Sequence, residues 1–104
     1  MSYYDQDGKP ITHAQWQDAW VKTDERRLGK TQIGNFYIST VWLGMNHRYN
    51  EGPPLIFETM IFNENKNYED IGCQRYSTKD EAFAGHLDAI KWVQKTNGEG
   101  YWPE

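Results

Sequence analysis

Hydrophobic and polar positions change their period along this chain of 104 residues, and the changes mark its elements. From Phe36 to Phe62 it reads FYISTVWLG, then MNHRYNEGPP, then LIFETMIF. The two flanking runs are rich in aromatic and β-branched residues, which predicts strands over Phe36–Leu43 and Leu55–Phe62. In the first, Phe36, Ile38, Thr40 and Trp42 share one face, and Tyr37, Ser39, Val41 and Leu43 share the other. In the second, Leu55, Phe57, Thr59 and Ile61 oppose Ile56, Glu58, Met60 and Phe62. Apolar residues fall on every face, as expected of central strands with both sides partly covered, so alternation leaves the core side open.

Helical spacing governs two other segments. Thr12 followed by Gln15 is a capping box, with Ile11 placed to staple onto Trp16. Trp16, Ala19 and Trp20 continue the stripe. This helix is expected to fade near Arg27, with Gly29 as its stop and a bend or short strand from Lys30 to Gly34. A second helix is predicted after Ser77 or Thr78, with Asp80 or Glu81 closing the capping box. Phe83, Leu87 and Ile90 form its predicted core stripe, flanked by Ala82, Ala89 and Val93, and Asn97-Gly98 ends it. Trp92 falls on the opposite side. Asp7-Gly8 predicts a hairpin over Tyr3 to Ile11, Gly34-Asn35 predicts a turn, and Asp70 to Tyr76 reads as a further strand. Residues 1–96 then form a single domain and residues 97–104 an extended tail whose Tyr101 and Trp102 are candidates to dock on it. Short connections between strands favour antiparallel pairing. The predicted fold is α+β, a small antiparallel sheet of about three to five strands with two helices packed against it.

A chain of this size buries about 65% of the surface that its unfolded form exposes, enough for one core without staples. Aromatic content of 15% argues against disorder. The formal charge of −4 argues against direct nucleic-acid binding, which calls for a basic face. One cysteine, Cys73, permits no intrachain disulfide. The opening residues lack the basic and apolar regions of a signal peptide, and no apolar run is long enough for a membrane span. The expected compartment is therefore the cytoplasm.

The candidate chemistry collects in the loop between the two central strands, where Asn46, His47, Arg48, Tyr49 and Glu51 follow one another closely. Loops held by a rigid sheet are common binding positions. His47 with Tyr49 and Glu51 has the residue types for acid–base work, and a small hydrolase or transferase there would need Glu58 or Cys73 to converge on it. The same loop beside Trp42 suits a nucleotide or other small ligand, because arginine and aromatic rings clamp bases and phosphates. Against both stands a loop histidine that merely bonds backbone. No metal or cofactor is implied: His13, His47 and His86 match no zinc spacing, and no glycine pattern cradles phosphate. Cys73 reads as a small hydrophobe within a strand. Glu58, among apolar neighbours, is expected to face solvent or to pair with Arg75. His86 falls inside the apolar arc of the second helix, which predicts a buried imidazole, bonded at one ring nitrogen and with a lowered pKa. Trp92 is a candidate docking residue unless the tail covers it.

The segments ISTVWLGMNHRYNEGPPLIFETMIF and RYSTKDEAFAGH, with the opening YYD-x-x-G-x-PI, resemble a family of small uncharacterised proteins encoded by phages and prophages. The resemblance covers roughly residues 3 to 93 and departs at Met45-Asn46, where leucine and aspartate are the expected pair. It implies a protein made inside a bacterium. With the aromatic surplus, it leads to the expectation of a non-catalytic accessory protein that binds a host bacterial protein, such as an anti-CRISPR-like inhibitor of a defence system. A ligand-binding protein, a small enzyme centred on His47 and a homodimer are the alternatives.

Overall fold

The computed structural model describes residues 2–103. The chain opens with a two-stranded ribbon, β1 (Tyr3–Tyr4) paired antiparallel with β2 (Pro10–Ile11), turning at Gly8 with φ of +83°. Thr12 caps α1 (His13–Trp20) through the expected box: its hydroxyl accepts from the Gln15 amide, and the Gln15 side chain accepts from the Thr12 amide.

The next segment departs from the predicted continuous helix. α1 ends at Trp20, and a single helical turn, α2 (Thr23–Arg26), leads directly into a seven-residue strand, β3 (Arg27–Ile33). The Arg26 guanidinium lies 3.9 Å from the centroid of the Trp20 ring, a cation–π contact that ties the two short helices together. Gly29 stops no helix. A Cβ at this position would lie 2.9 Å from the His86 ring, so glycine serves the close approach of imidazole to strand.

The main sheet is a meander in the order β3-β4-β5-β6, antiparallel throughout, with β4 (Phe36–Trp42), β5 (Phe57–Asn63) and β6 (Glu69–Tyr76). Ile38, Thr40 and Trp42 on β4 and Phe57, Thr59 and Ile61 on β5 are all buried, which decides the core face that alternation alone left open. Among the described residues only that face is covered, mainly by α3 (Lys79–Thr96), whose capping box runs between Thr78 and Glu81, and at one end by α1. The core falls into two clusters. One joins Ile38 and Ile61 to Ala89, Trp92, Val93 and Trp102; the other joins Trp42, Ile56, Phe57 and Tyr76 to Ala82, with Trp16 and Trp20 of α1 packed on it.

The predicted stripe of α3 is rotated from the observed one. Ala82, His86, Ala89, Trp92 and Val93 are buried, whereas Phe83 and Leu87 remain 46% and 59% exposed. Small residues bring the helix down onto the sheet: a Cβ at Gly85 would lie only 1.9 Å from the Tyr76 hydroxyl oxygen. At that separation Ala82, Gly85 and Ala89 fit over the strands, and Phe83 and Leu87 are turned to the flank. The hydrophobic signal of the sequence followed residue size, and the close contact follows the lack of it.

His86 is buried as expected and bonded at both ring nitrogens. Nε2 meets the Thr31 hydroxyl at 2.9 Å, Nδ1 meets the Thr40 hydroxyl at 2.7 Å, and Thr40 meets Thr59 at 2.5 Å. The tail is a structural part of the domain. Trp102 is 2% exposed, accepts from the Cys73 amide and donates its own amide to the Ile71 carbonyl, forming a parallel bridge along the outer edge of β6. Its indole N–H donates to Asp88 at 3.0 Å.

Candidate functional site

The uncovered face of the sheet and the loop beside it form the candidate site. Because directly paired residues share a face, the ladder sets this surface out in rows. Arg27, Val41, Glu58 and Arg75 form one; Lys30, Ser39, Met60 and Cys73 the next; Gln32, Tyr37, Phe62 and Asp70 the third. The Tyr37 and Phe62 rings stack across strands at 6.3 Å with an interplanar angle of 28°. Tyr37, Val41, Met60 and Phe62 are half-buried, and among the described residues no second layer lies over them.

The connector from β4 to β5 closes over one end of this face. Asn46 braces it: its amide oxygen accepts from the Arg48 amide at 2.9 Å and from the Leu55 amide at 3.0 Å. An aspartate would accept the same two bonds, so the departure from the expected residue loses no contact. The His47 amide donates to the Leu55 carbonyl, and Arg48 Nε donates to the Pro53 carbonyl at 2.6 Å. Tyr49 and Glu51 are exposed.

Of the sequence candidates, Asn46, His47, Arg48, Tyr49 and Glu51 therefore share the loop. Trp92 leaves the set. It is 7% exposed, on α3 and across the sheet from His47, in the cluster that holds Trp102. The tail fills its side of the helix, the alternative to a docking role.

The groove under the loop is lined by His47, Arg48, Tyr49, Leu55, Cys73 and Arg75 and holds about 310 Å³. It is an open trough, at the small end of ligand sites. Arg48 is committed to the Pro53 carbonyl, and Trp42 is buried on the opposite face. The arginine–aromatic clamp that a nucleotide would need is not assembled.

Convergence does occur at Glu58. Its Oε2 accepts from Arg75 Nε at 2.9 Å and from the Cys73 thiol at 3.5 Å. The Glu58–Arg75 pair is the expected one, whereas Cys73 lies on the open face beside a carboxylate and not in the core. Burial, and after it the Glu58 charge, push the Cys73 pKa up to about 11. Burial and the Arg75 charge lower the pKa of His47, against a smaller opposing pull from Glu58. Thiol and imidazole are thus both neutral near pH 7, the reverse of an activated cysteine–histidine pair. Cys73 is expected to react with iodoacetamide at pH 8 much more slowly than free cysteine, and Glu58→Gln to speed the reaction by removing the charge that holds the proton on. Alkylation followed by mass spectrometry measures both, and a wild-type rate equal to that of free cysteine refutes the assignment.

Among the described residues, no group of three or more His, Cys, Asp or Glu side chains is placed to hold a metal ion. No helix among them is long and apolar enough to cross a membrane. No family model, curated protein or solved structure matches the chain.

Proposed function

We propose that this chain is a non-catalytic binding protein that acts by occupying a host bacterial protein, with the open sheet face and the 46–51 loop as its docking surface. The observation that supports the reading is the half-exposed field of Tyr37, Val41, Met60 and Phe62, over which none of the described elements packs. Tyr, Phe, Met and Arg are the residues that interface centres favour, and Arg75, already paired with Glu58, brings its charge there neutralised. Burying the four apolar side chains against a partner supplies a favourable term of about 25 cal/mol for each Å² removed from water. The Cys73 thiol is held protonated beside Glu58, which disfavours it as a nucleophile.

The phage and prophage resemblance makes a bacterial protein the partner to look for, and inhibition of a defence system is its sharpest form. A tagged chain should retain a specific protein from host lysate across a range of salt concentrations. Met60→Lys and Phe62→Ser should release that protein while leaving the circular dichroism spectrum unchanged. A bait that retains nothing, or a capture indifferent to both variants, refutes the open face as the docking surface.

A further inference from the structure

The two edges of the main sheet are treated differently. The tail bridges to β6 at Trp102, while among the described residues no strand or bridge pairs with the outer edge of β3. Counted outward from the two-residue turn at Gly34-Asn35, antiparallel alternation turns the main-chain groups of Lys30 and Gln32 away from β4. Those groups meet no protein partner among the described residues. The edge of β3 from Lys30 to Gln32 is thus free to pair, whereas the Arg27 amide is held by the Thr23 carbonyl.

The helix above adds a second feature. Gly85 packs on Tyr76 of β6 and Asp88 bonds Trp102 along the β6 edge, whereas His86 reaches Thr31 on β3. The helical turn therefore sets Phe83 and Leu87 on the β3 flank, where they are two of the largest exposed apolar side chains. An added strand beside β3 would slide beneath them. On the other face of the same edge stand Arg27 and Lys30, both exposed and without an ion-pair partner among the described residues.

We infer that the β3 edge accepts an extra strand from a partner protein, an extended segment that alternates apolar and acidic residues. Its main chain pairs with Lys30 and Gln32, its apolar side chains cover Phe83 and Leu87, and its carboxylates lie beside Arg27 and Lys30. This is strand addition, in which main-chain bonds give affinity and alternate side chains give selectivity. A second copy of the chain is the poorer occupant. In the centred antiparallel register β3 on β3 sets Lys30 opposite its own counterpart, and like charges directly opposed destabilise a pair. An edge lysine is also a common guard against self-pairing. The inference concerns the β3 edge, shares with the open sheet face only Arg27 and Lys30 at its rim, and does not rest on the role proposed for that face.

The test uses the isotopically labelled full chain and two synthetic peptides of about eight residues, the length of an ordinary strand, one alternating valine with glutamate and the other valine with lysine. The acidic peptide should shift the amide resonances of Lys30 and Gln32 and slow their hydrogen exchange, and the effect should weaken as salt rises. Lys30→Glu should weaken the acidic peptide about tenfold and favour the basic one, the size expected when opposite charges across a strand pair become like. Phe83→Ser with Leu87→Ser, both at exposed positions, should weaken binding without lowering the melting temperature. Equal responses to the two peptides, or no response at millimolar peptide, overturn the inference. Shifts at Lys30 and Gln32 that follow protein concentration alone also overturn it, in favour of a second copy.

Discussion

Trp102→Ala is expected to cost about 3–5 kcal/mol of folding stability, the range for emptying a buried aromatic site. Several losses act together. The indole is 2% exposed within the cluster of Ile38, Ile61, Ala89 and Trp92, so its removal opens a cavity between helix and sheet. Asp88 loses the indole N–H that it accepts. The strand bridge to Gly72 loses the anchor that holds the tail in register, although its two main-chain bonds remain available. A cavity cannot close by collapse here, because Gly72 already lies against the Trp102 backbone, where a Cβ would come within 2.7 Å of the carbonyl oxygen. Domains of this size are stable by about 5–15 kcal/mol, so the loss is a large fraction of the total. The melting temperature should fall by more than about 12 °C, taking 4 °C as the smallest shift per kcal/mol. Deletion of residues 97–104 should be at least as damaging, while Tyr101→Phe, which removes only an exposed bond to Asp70, should change stability by less than about 0.5 kcal/mol. Thermal and urea denaturation followed by circular dichroism measure all three. A deletion variant as stable as the parent would show that the domain ends at residue 96 and that the tail merely rests on it.

That tail illustrates why sequence patterns carried the fold further than they carried its surfaces. Capping boxes, turn glycines and strand alternation act over a few residues, and they placed the start of α1 and the whole of β4, β5 and α3 close to where they lie. Which face of β4 and β5 is buried depends on α3, which begins sixteen positions beyond the end of β5 in the chain, and no local period reports that. The helix phase was read from Phe83 and Leu87, but contact distance was set by Ala82, Gly85 and Ala89, whose size is what matters and whose hydrophobic signal is weak. Gly29 looked like a helix stop because glycine is common there; its reason is His86, fifty-seven positions away. The candidate loop was legible because its residues are consecutive. The meeting of Glu58, Arg75 and Cys73 depends on strand register, and only the Glu58–Arg75 half of it was anticipated. Of β3 only the end was anticipated, as a bend or short strand from Lys30 to Gly34, and nothing local marks it as an open edge, since Arg27 to Gly29 read as the end of a helix.

His86 couples this architecture to pH. Its ring sits over β3 and β4 within a line of hydroxyls from Thr31, Thr40 and Thr59, and burial lowers its pKa below the ordinary 6.5. Each threonine hydroxyl can donate or accept, so a protonated ring would keep both of its bonds. The cost of protonation is desolvation of the charge. Because the folded pKa is the lower one, the unfolded chain binds the proton first as pH falls. The His86 contribution is therefore fully present above about 6.5 and drains away as pH drops from there through the folded pKa. His47 is lowered too and acts in the same direction, so His47→Gln serves as the background in which the His86 effect is read. His86→Ala should destabilise by about 1–3 kcal/mol, from the cavity and from the unpaired Thr31 hydroxyl. His86→Leu restores most of the volume, yet it should recover only part of the loss, because it leaves the same hydroxyl without a partner. Both variants should flatten the decline in stability between pH 7 and pH 5 that the His47→Gln parent shows. If the parent's stability is level across that interval, or if His86→Leu declines as steeply as the parent, the imidazole is not the group that senses acid.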